Sequence, residues 1–252
     1  MIEILILSFV QGITEFLPIS SSSHLILISE FLDFKNKNLS IDVSLHIGSF
    51  IAVLFYFYKD ILNFFDNKIL LFKILISSIP LMIIGFFLVE TGLIEKIRNL
   101  KVIAWTTIIF GILLFICDKF KLEKNIEKNF TIKSAIFIGF FQILSLIPGV
   151  SRSGIAITAA RLLNFKRVDA AKISFLISIP ILGAVSLFGL KNLILSESFY
   201  FAASNLIAIF FSFLTSLNTI KYFLIYIRKF NLNIFVYYRI LLGLGLITIA
   251  YL

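Results

Sequence analysis

The sequence predicts an all-α polytopic membrane protein of about six transmembrane helices plus two re-entrant broken helix pairs, arranged as an inverted repeat. Three observations carry that prediction. Of 252 residues, 60% are hydrophobic and 15% charged, with a mean hydropathy of +1.04, which leaves too little polar surface to cover a soluble core of this length. Apolar stretches long enough to cross a bilayer recur along the whole chain. Two further stretches are apolar at both ends and polar in their middles, a pattern that an ordinary spanning helix does not carry.

In chain order, the first broken stretch covers residues 2–32, with the middle Gln11-Gly12-Ile13-Thr14-Glu15-Phe16-Leu17-Pro18-Ile19-Ser20-Ser21-Ser22-Ser23-His24. Full spans follow at 43–58, 69–89 and 102–117. The second broken stretch, 134–163, has Pro148-Gly149-Val150-Ser151-Arg152-Ser153-Gly154 at its centre, and spans at 173–190, 199–217 and 234–252 complete the chain. An ionisable side chain at the bilayer centre costs on the order of 3 kcal/mol. Proline removes a helix hydrogen bond, and non-helical backbone survives at membrane depth only where it lines a polar cavity. Each polar-centred stretch is therefore expected to be two half-helices that enter, break and return to the same side.

Basic residues test that topology. With both stretches re-entrant, one face collects fifteen Lys and Arg, in the groups 59–73, 119–133, 161–172 and 221–229. The other collects six: Lys35, Lys37, Lys96, Arg98, Lys101 and Lys191. The positive-inside rule places the first face in the cytoplasm and both termini outside. The halves, 1–116 and 134–252, then have opposite orientation, as in inverted-repeat membrane proteins. Setting Pro18 over Pro148 places Ser21 over Ser151, and Asp42 and Asp169 each precede a long span. The two broken tips are expected to meet near the midplane, in one membrane domain.

The tips hold the chemistry. Gln11 and Glu15, four apart, share a helix face and aim two oxygen-bearing side chains at one place. Ser20, Ser21, Ser22, Ser23 and His24 follow the Pro18 break, and Ser22 or Ser23 is expected to cap the next half-helix. Arg152 lies deep in an apolar segment, flanked by Ser151, Ser153, Gly149 and Gly154. Glycines allow close backbone approach, a half-helix start favours an anion, and guanidinium offers a planar fork for phosphate oxygens. An ion pair from Arg152 to Glu15 is the competing structural reading, and both roles can coexist. His46 is expected to pack between helices or sit at the interface, Gln142 and Ser145 to line a cavity floor, and Arg239 to snorkel to the headgroups.

At these motifs the chain resembles the undecaprenyl-diphosphatase family of bacterial membranes, the bacitracin-resistance type. That family carries (E/Q)xxxE, then F-L-P-x-S-S-[ST]-x-H, and later P-G-x-S-R-S-G. Here these are Gln11 to Glu15, Phe16 to His24 and Pro148 to Gly154. The resemblance implies hydrolysis of undecaprenyl diphosphate at a site open to the extracytoplasmic side of the inner membrane, with a divalent cation, Mg or Ca. Gln11, Glu15, Ser21, His24 and Arg152 are the matched site residues. Glu15 and Gln11 would hold the metal, while Arg152, Ser151, Ser153, Gly149, Gly154 and Ser20 would face the substrate. Two departures stand out: Gln rather than Glu at 11, and Ser rather than a smaller residue at 23. The nucleophile stays open between Ser21, His24 and a metal-bound water. A transporter or flippase of a phosphorylated lipid is the rival class, and a homodimer is left open.

The remaining features are exclusions. The net charge of +9 is spread through short loops that set topology and touch anionic lipids, so no nucleic-acid partner is expected. A lone cysteine, Cys117, excludes an internal disulfide and a cysteine metal site. The start Met1-Ile2-Glu3 lacks the basic region of a cleavable signal peptide.

Overall fold

The computed structural model describes residues 1–31, 39–64, 66–195 and 203–252. Among these, the chain is helical, and its one extended pairing is an isolated bridge between Lys124 and Phe165. The first broken pair is α1 (Ile2–Thr14) and α2 (Ser21–Phe31). It is followed by α3 (Leu39–Tyr56), the short α4 (Tyr58–Leu62), α5 (Lys68–Glu90), the short α6 (Leu93–Lys96) and α7 (Leu100–Asp118). After the short α8 (Ile126–Asn129), the second broken pair is α9 (Ile132–Gln142) and α10 (Arg152–Leu162). The last three helices are α11 (Arg167–Leu195), α12 (Ala203–Lys229) and α13 (Asn233–Tyr251).

Helices α3, α5, α7, α11, α12 and α13 are long and apolar enough to cross a membrane. The four members of the broken pairs have 11 or 13 residues each. At 1.5 Å per residue they rise about 16–20 Å, short of the roughly 30 Å hydrocarbon core. The polytopic helical architecture expected from the sequence is thus present. Helix lengths differ from the expected spans where helices outrun the apolar run. Thus α11 starts at Arg167 rather than 173, and α12 continues to Lys229 rather than 217. Apolarity marks the crossing, whereas the backbone stays helical into the polar ends carrying Asp169, Lys172, Lys221 and Arg228. The expected start of the fifth span, at 199, lies outside the described residues.

Small residues bring the helices close. A Cβ on Gly48 of α3 would sit 2.5 Å from the Ile209 carbonyl of α12, and one on Gly12 of α1 would sit 1.8 Å from Thr215 Oγ1. Polar side chains then lock the seams: Ser49 Oγ is 3.2 and 3.0 Å from Ser212 and Ser216 Oγ, and Thr215 Oγ1 donates to the Ser8 carbonyl at 3.2 Å. Where lipid is as apolar as leucine, such close backbone contact and interhelical hydrogen bonding is what drives helices together. Cys117 packs in the core with no exposed surface.

Next to the last turn of α7, a buried ionic hub joins four chain segments. Asp118 Oδ1 accepts from Arg167 Nε at 2.7 Å, and its Oδ2 accepts from the Leu232 amide at 3.1 Å. The fully buried Arg161 guanidinium donates to the carbonyls of Asp118, Phe120, Lys121 and Phe165. Two of the fifteen basic residues counted for topology are therefore also structural ties.

The broken pairs match each other, with one shift from the register suggested by the prolines. Each second half-helix is preceded by a serine with positive φ, Ser20 at 76° and Ser151 at 71°. Ser151 thus stands opposite Ser20 rather than Ser21, and Gln142 opposite Gln11. Gly149 then stands opposite Pro18, and its φ of 93° suits glycine. Asp42 and Asp169 both fall in the first turn of the span that follows a pair, α3 and α11.

Candidate active site

Both breaks place the start of a half-helix at the same point. α1 ends at Thr14, residues 15–19 turn, and α2 begins at Ser21 with Ser20 before it. Ser22 and Ser23, expected as caps, lie inside the first turn, because the positive φ at Ser20 turns the chain two positions before Ser22. In the second tip Ser151 caps α10, its Oγ accepting from the Gly154 amide at 3.1 Å.

Glu15 joins the two starts. Its Oε2 accepts from Ser21 Oγ, the first residue of α2, at 2.7 Å and from Gln11 Nε2 at 3.1 Å. Its Oε1 pairs with Arg152, the first residue of α10. Glu15 is 7% and Arg152 12% exposed in their side chains, so the pair is screened little by solvent. The tips therefore meet, as expected. Ser153 Oγ adds a bond to the Leu17 carbonyl at 2.7 Å. Arg152 Nη1 and Gln11 Oε1 are buried and, among the described residues, have no hydrogen-bond partner.

Other expected site residues are placed differently. His24 does not bond Ser21: its Nδ1 lies 2.7 Å from the Ser20 carbonyl and its Nε2 2.6 Å from Tyr238 Oη. Ser20 Oγ pairs with Ser23 Oγ at 3.0 Å. The space beside Gly149 is filled by α7, where an added Cβ would be 2.1 Å from Thr106 Oγ1, and that beside Gly154 by Arg239 and Ser151 at 3.1 Å. Close packing of the second tip accounts for both glycines. Gln142 is fully buried and ties α9 to α5 through the Ser77 carbonyl, 3.1 Å away.

Arg239 corrects the expectation that it snorkels. It is 1% exposed and donates to the carbonyls of Thr107, Pro18, Val150 and Gly149 at 3.1, 3.2, 3.2 and 2.9 Å. The reason is the breaks themselves: tips that leave the helical ladder expose carbonyls, and a guanidinium with five donors satisfies several at once. Arg239 lies in the middle third of α13 and Thr107 in that of α7, so the tips meet between the ends of two spanning helices.

Comparison with known proteins bears on this arrangement. The family model for bacitracin resistance protein BacA matches residues 4–245. The chain belongs to this family. A relative from Pelagibacter ubique named undecaprenyl-diphosphatase is 52% identical over 251 residues, 99% of this chain and 98% of the relative. Relatives of the same name from Saccharophagus degradans and Jannaschia sp. are 40% and 37% identical, each covering at least 97% of this chain and 96% of the relative.

Within this BacA-family chain, the structure adds three residues that sequence reasoning did not bring to the site. His46 Nδ1 is 3.1 Å from Gln11 Nε2, so His46 extends the Glu15 cluster instead of only packing helices. Tyr238 and Arg239 reach the tips from the last helix. A polar Tyr-Arg pair inside an apolar span was the available signal for the last two, of which Arg239 was read as snorkelling.

Proposed function

We propose that the chain hydrolyses undecaprenyl diphosphate to undecaprenyl phosphate and inorganic phosphate, recycling the lipid carrier for cell-wall polymers. One observation carries the reading: the starts of α2 and α10 both end on the Glu15 carboxylate, through Ser21 and Arg152. The first amides of a helix lack intrahelical acceptors and sit at its positive end. Two such ends plus a guanidinium form an anion site, and Glu15 fills part of that demand from the protein. Arg152 Nη1, a buried donor without a partner among the described residues, supplies a further bond to a phosphate oxygen.

The site also suits a divalent cation. Gln11 Oε1 is a buried acceptor with no partner beside the Glu15 carboxylate, and hard cations take oxygen ligands. Among the described residues no group of three or more His, Cys, Asp or Glu could hold a metal, so Glu15 and Gln11 would share it with the diphosphate itself, as Mg commonly allows. When bound, the cation neutralises charge on the transferring phosphoryl group. The protein does the rest by positioning. Ser21 Oγ attacks the terminal phosphorus, the anhydride bond breaks, and undecaprenyl phosphate leaves. The hydroxyl proton passes to Glu15 Oε2, which already accepts from Ser21 Oγ at 2.7 Å, and His24 takes the proton of the water in the second step. Water then hydrolyses the phosphoserine to inorganic phosphate.

Purified protein in detergent, given a polyprenyl diphosphate, should release inorganic phosphate and the monophosphate lipid in equal amounts. Binding without release would favour a lipid carrier, which needs cations but no hydroxyl set on a carboxylate.

The fifteen-to-six basic bias supports an orientation with the 119–133 loop in the cytoplasm and the site reached from outside the bacterial inner membrane. A cysteine at Asn36 should react with a membrane-impermeant reagent in sealed cells, and one at Asn125 only after the membrane is breached. Native Cys117, fully buried, gives a silent background. Equal labelling of both positions would overturn this orientation.

A further inference from the structure

The imidazole of His24 is held at both ends. Its Nδ1 faces the Ser20 carbonyl at 2.7 Å, an oxygen that can only accept, so Nδ1 carries the hydrogen. In the neutral ring, Nε2 is then the lone pair, and Tyr238 Oη lies 2.6 Å from it. Only the phenol can donate across that contact. The rings also stack, with centroids 5.7 Å apart and planes 13° from parallel. Tyr238 is itself fixed by its neighbour: Arg239 is clamped to the carbonyls of both tips.

We propose that Tyr238 is a positioning residue for the reaction, one that acts through His24. The inference rests on the reading of His24 as the proton carrier. Its hydroxyl fixes which nitrogen is basic and where that nitrogen points. A phenol suits the task because the same oxygen donates to Nε2 in the neutral ring and accepts from Nε2–H once the ring is protonated. The contact therefore survives a proton arriving and leaving, and the imidazole need not turn between the two states. A residue of the last helix thereby sets the geometry of a base in the first broken pair. Because Tyr238 is 41% exposed while His24 is 8% exposed, the phenol also separates the imidazole from the surroundings of the site.

Tyr238→Phe removes the hydroxyl and keeps the ring, its stacking and the Arg239 clamp. Its kcat should fall about tenfold, the scale of one hydrogen bond, with KM and thermal midpoint unchanged. A second measurement does not depend on turnover. Diethyl pyrocarbonate acylates a free imidazole lone pair, and the chain has two histidines. Peptide mass spectrometry should show His24 modified several times faster in Tyr238→Phe than in the unaltered protein, while His46 keeps its rate as the internal reference. Unchanged kcat, or no acceleration at His24, overturns the inference. If His24→Ala retains full turnover, the proton-carrier reading fails instead, and the modification rates still decide whether Tyr238 caps Nε2.

Discussion

Arg152→Lys is expected to fold normally and to lose turnover by roughly ten- to a thousandfold, which corresponds to about 1.4 to 4 kcal/mol in the barrier. The argument lies in the two ends of the guanidinium. Nη2 is committed to Glu15, while Nη1 is buried without a partner among the described residues. A planar fork can keep the carboxylate and take a phosphate oxygen together; a lysine ammonium is a single point charge on a flexible stem and must divide itself between them. If the arginine served only to neutralise Glu15, lysine would suffice. Arg152→Ala separates the cases from the other side, because it strands a buried carboxylate and should cost about 3–5 kcal/mol of stability. Turnover and thermal midpoint in detergent, measured for both variants, provide the check. Near-normal turnover in a well-folded lysine variant would reduce Arg152 to a tie between the tips.

Glu15→Gln should have the largest effect of any single change, a loss of at least about a thousandfold in hydrolysis. Three donors, from Gln11, Ser21 and Arg152, converge on this carboxylate. Glutamine offers one acceptor oxygen and turns an NH2 group toward the remaining donors. Ser21 can reverse its hydroxyl to accept, but Arg152 cannot accept at all. The variant should therefore lose stability as well, by about 3–5 kcal/mol, so turnover must be read at a temperature where it is folded. Any residual rate should respond weakly to added Mg or Ca, because the carboxylate proposed to hold the cation is gone. Gln11→Glu should keep activity, since it adds charge without removing an acceptor. Full hydrolysis by folded Glu15→Gln would refute both the anion site and the cation site.

The fold class and the meeting of the two tips were legible because they follow from one-dimensional rules. Apolar length gives spans, and a proline amid polar residues in an apolar stretch gives a break. Glu15 and Arg152 were legible for the same reason: charge inside an apolar run is costly enough to require a partner, and each was the natural partner of the other. What could not be read was which hydrogen bonds close the site. Ser21 and His24 were both left open as the nucleophile, and nothing in the sequence says what either one bonds. The fold gives Ser21 to Glu15 and His24 to Tyr238, a residue 214 positions away. Arg239 was misjudged because position within a span says little about neighbours; the carbonyls it binds exist only because two other segments break beside it. Arg161 was counted as a cytoplasmic charge, and nothing local to it signals the four carbonyls that surround it.

The Arg239 clamp has a bearing on how the protein is made. Its bond to the Pro18 carbonyl spans 221 positions of sequence. The first tip is therefore synthesised and inserted long before the group that satisfies its exposed backbone exists. Throughout translation of the intervening helices, the carbonyl of Pro18 lacks the guanidinium that it meets in the folded chain. The second tip waits less long, because α13 follows it by only two spans. The clamp is thus a late addition in biogenesis, made only once the final helix is in place beside both tips. A nascent chain lacking only α13 would carry both motifs and the groups of the Glu15–Arg152 pair, but neither the Arg239 clamp nor the Tyr238 contact to His24.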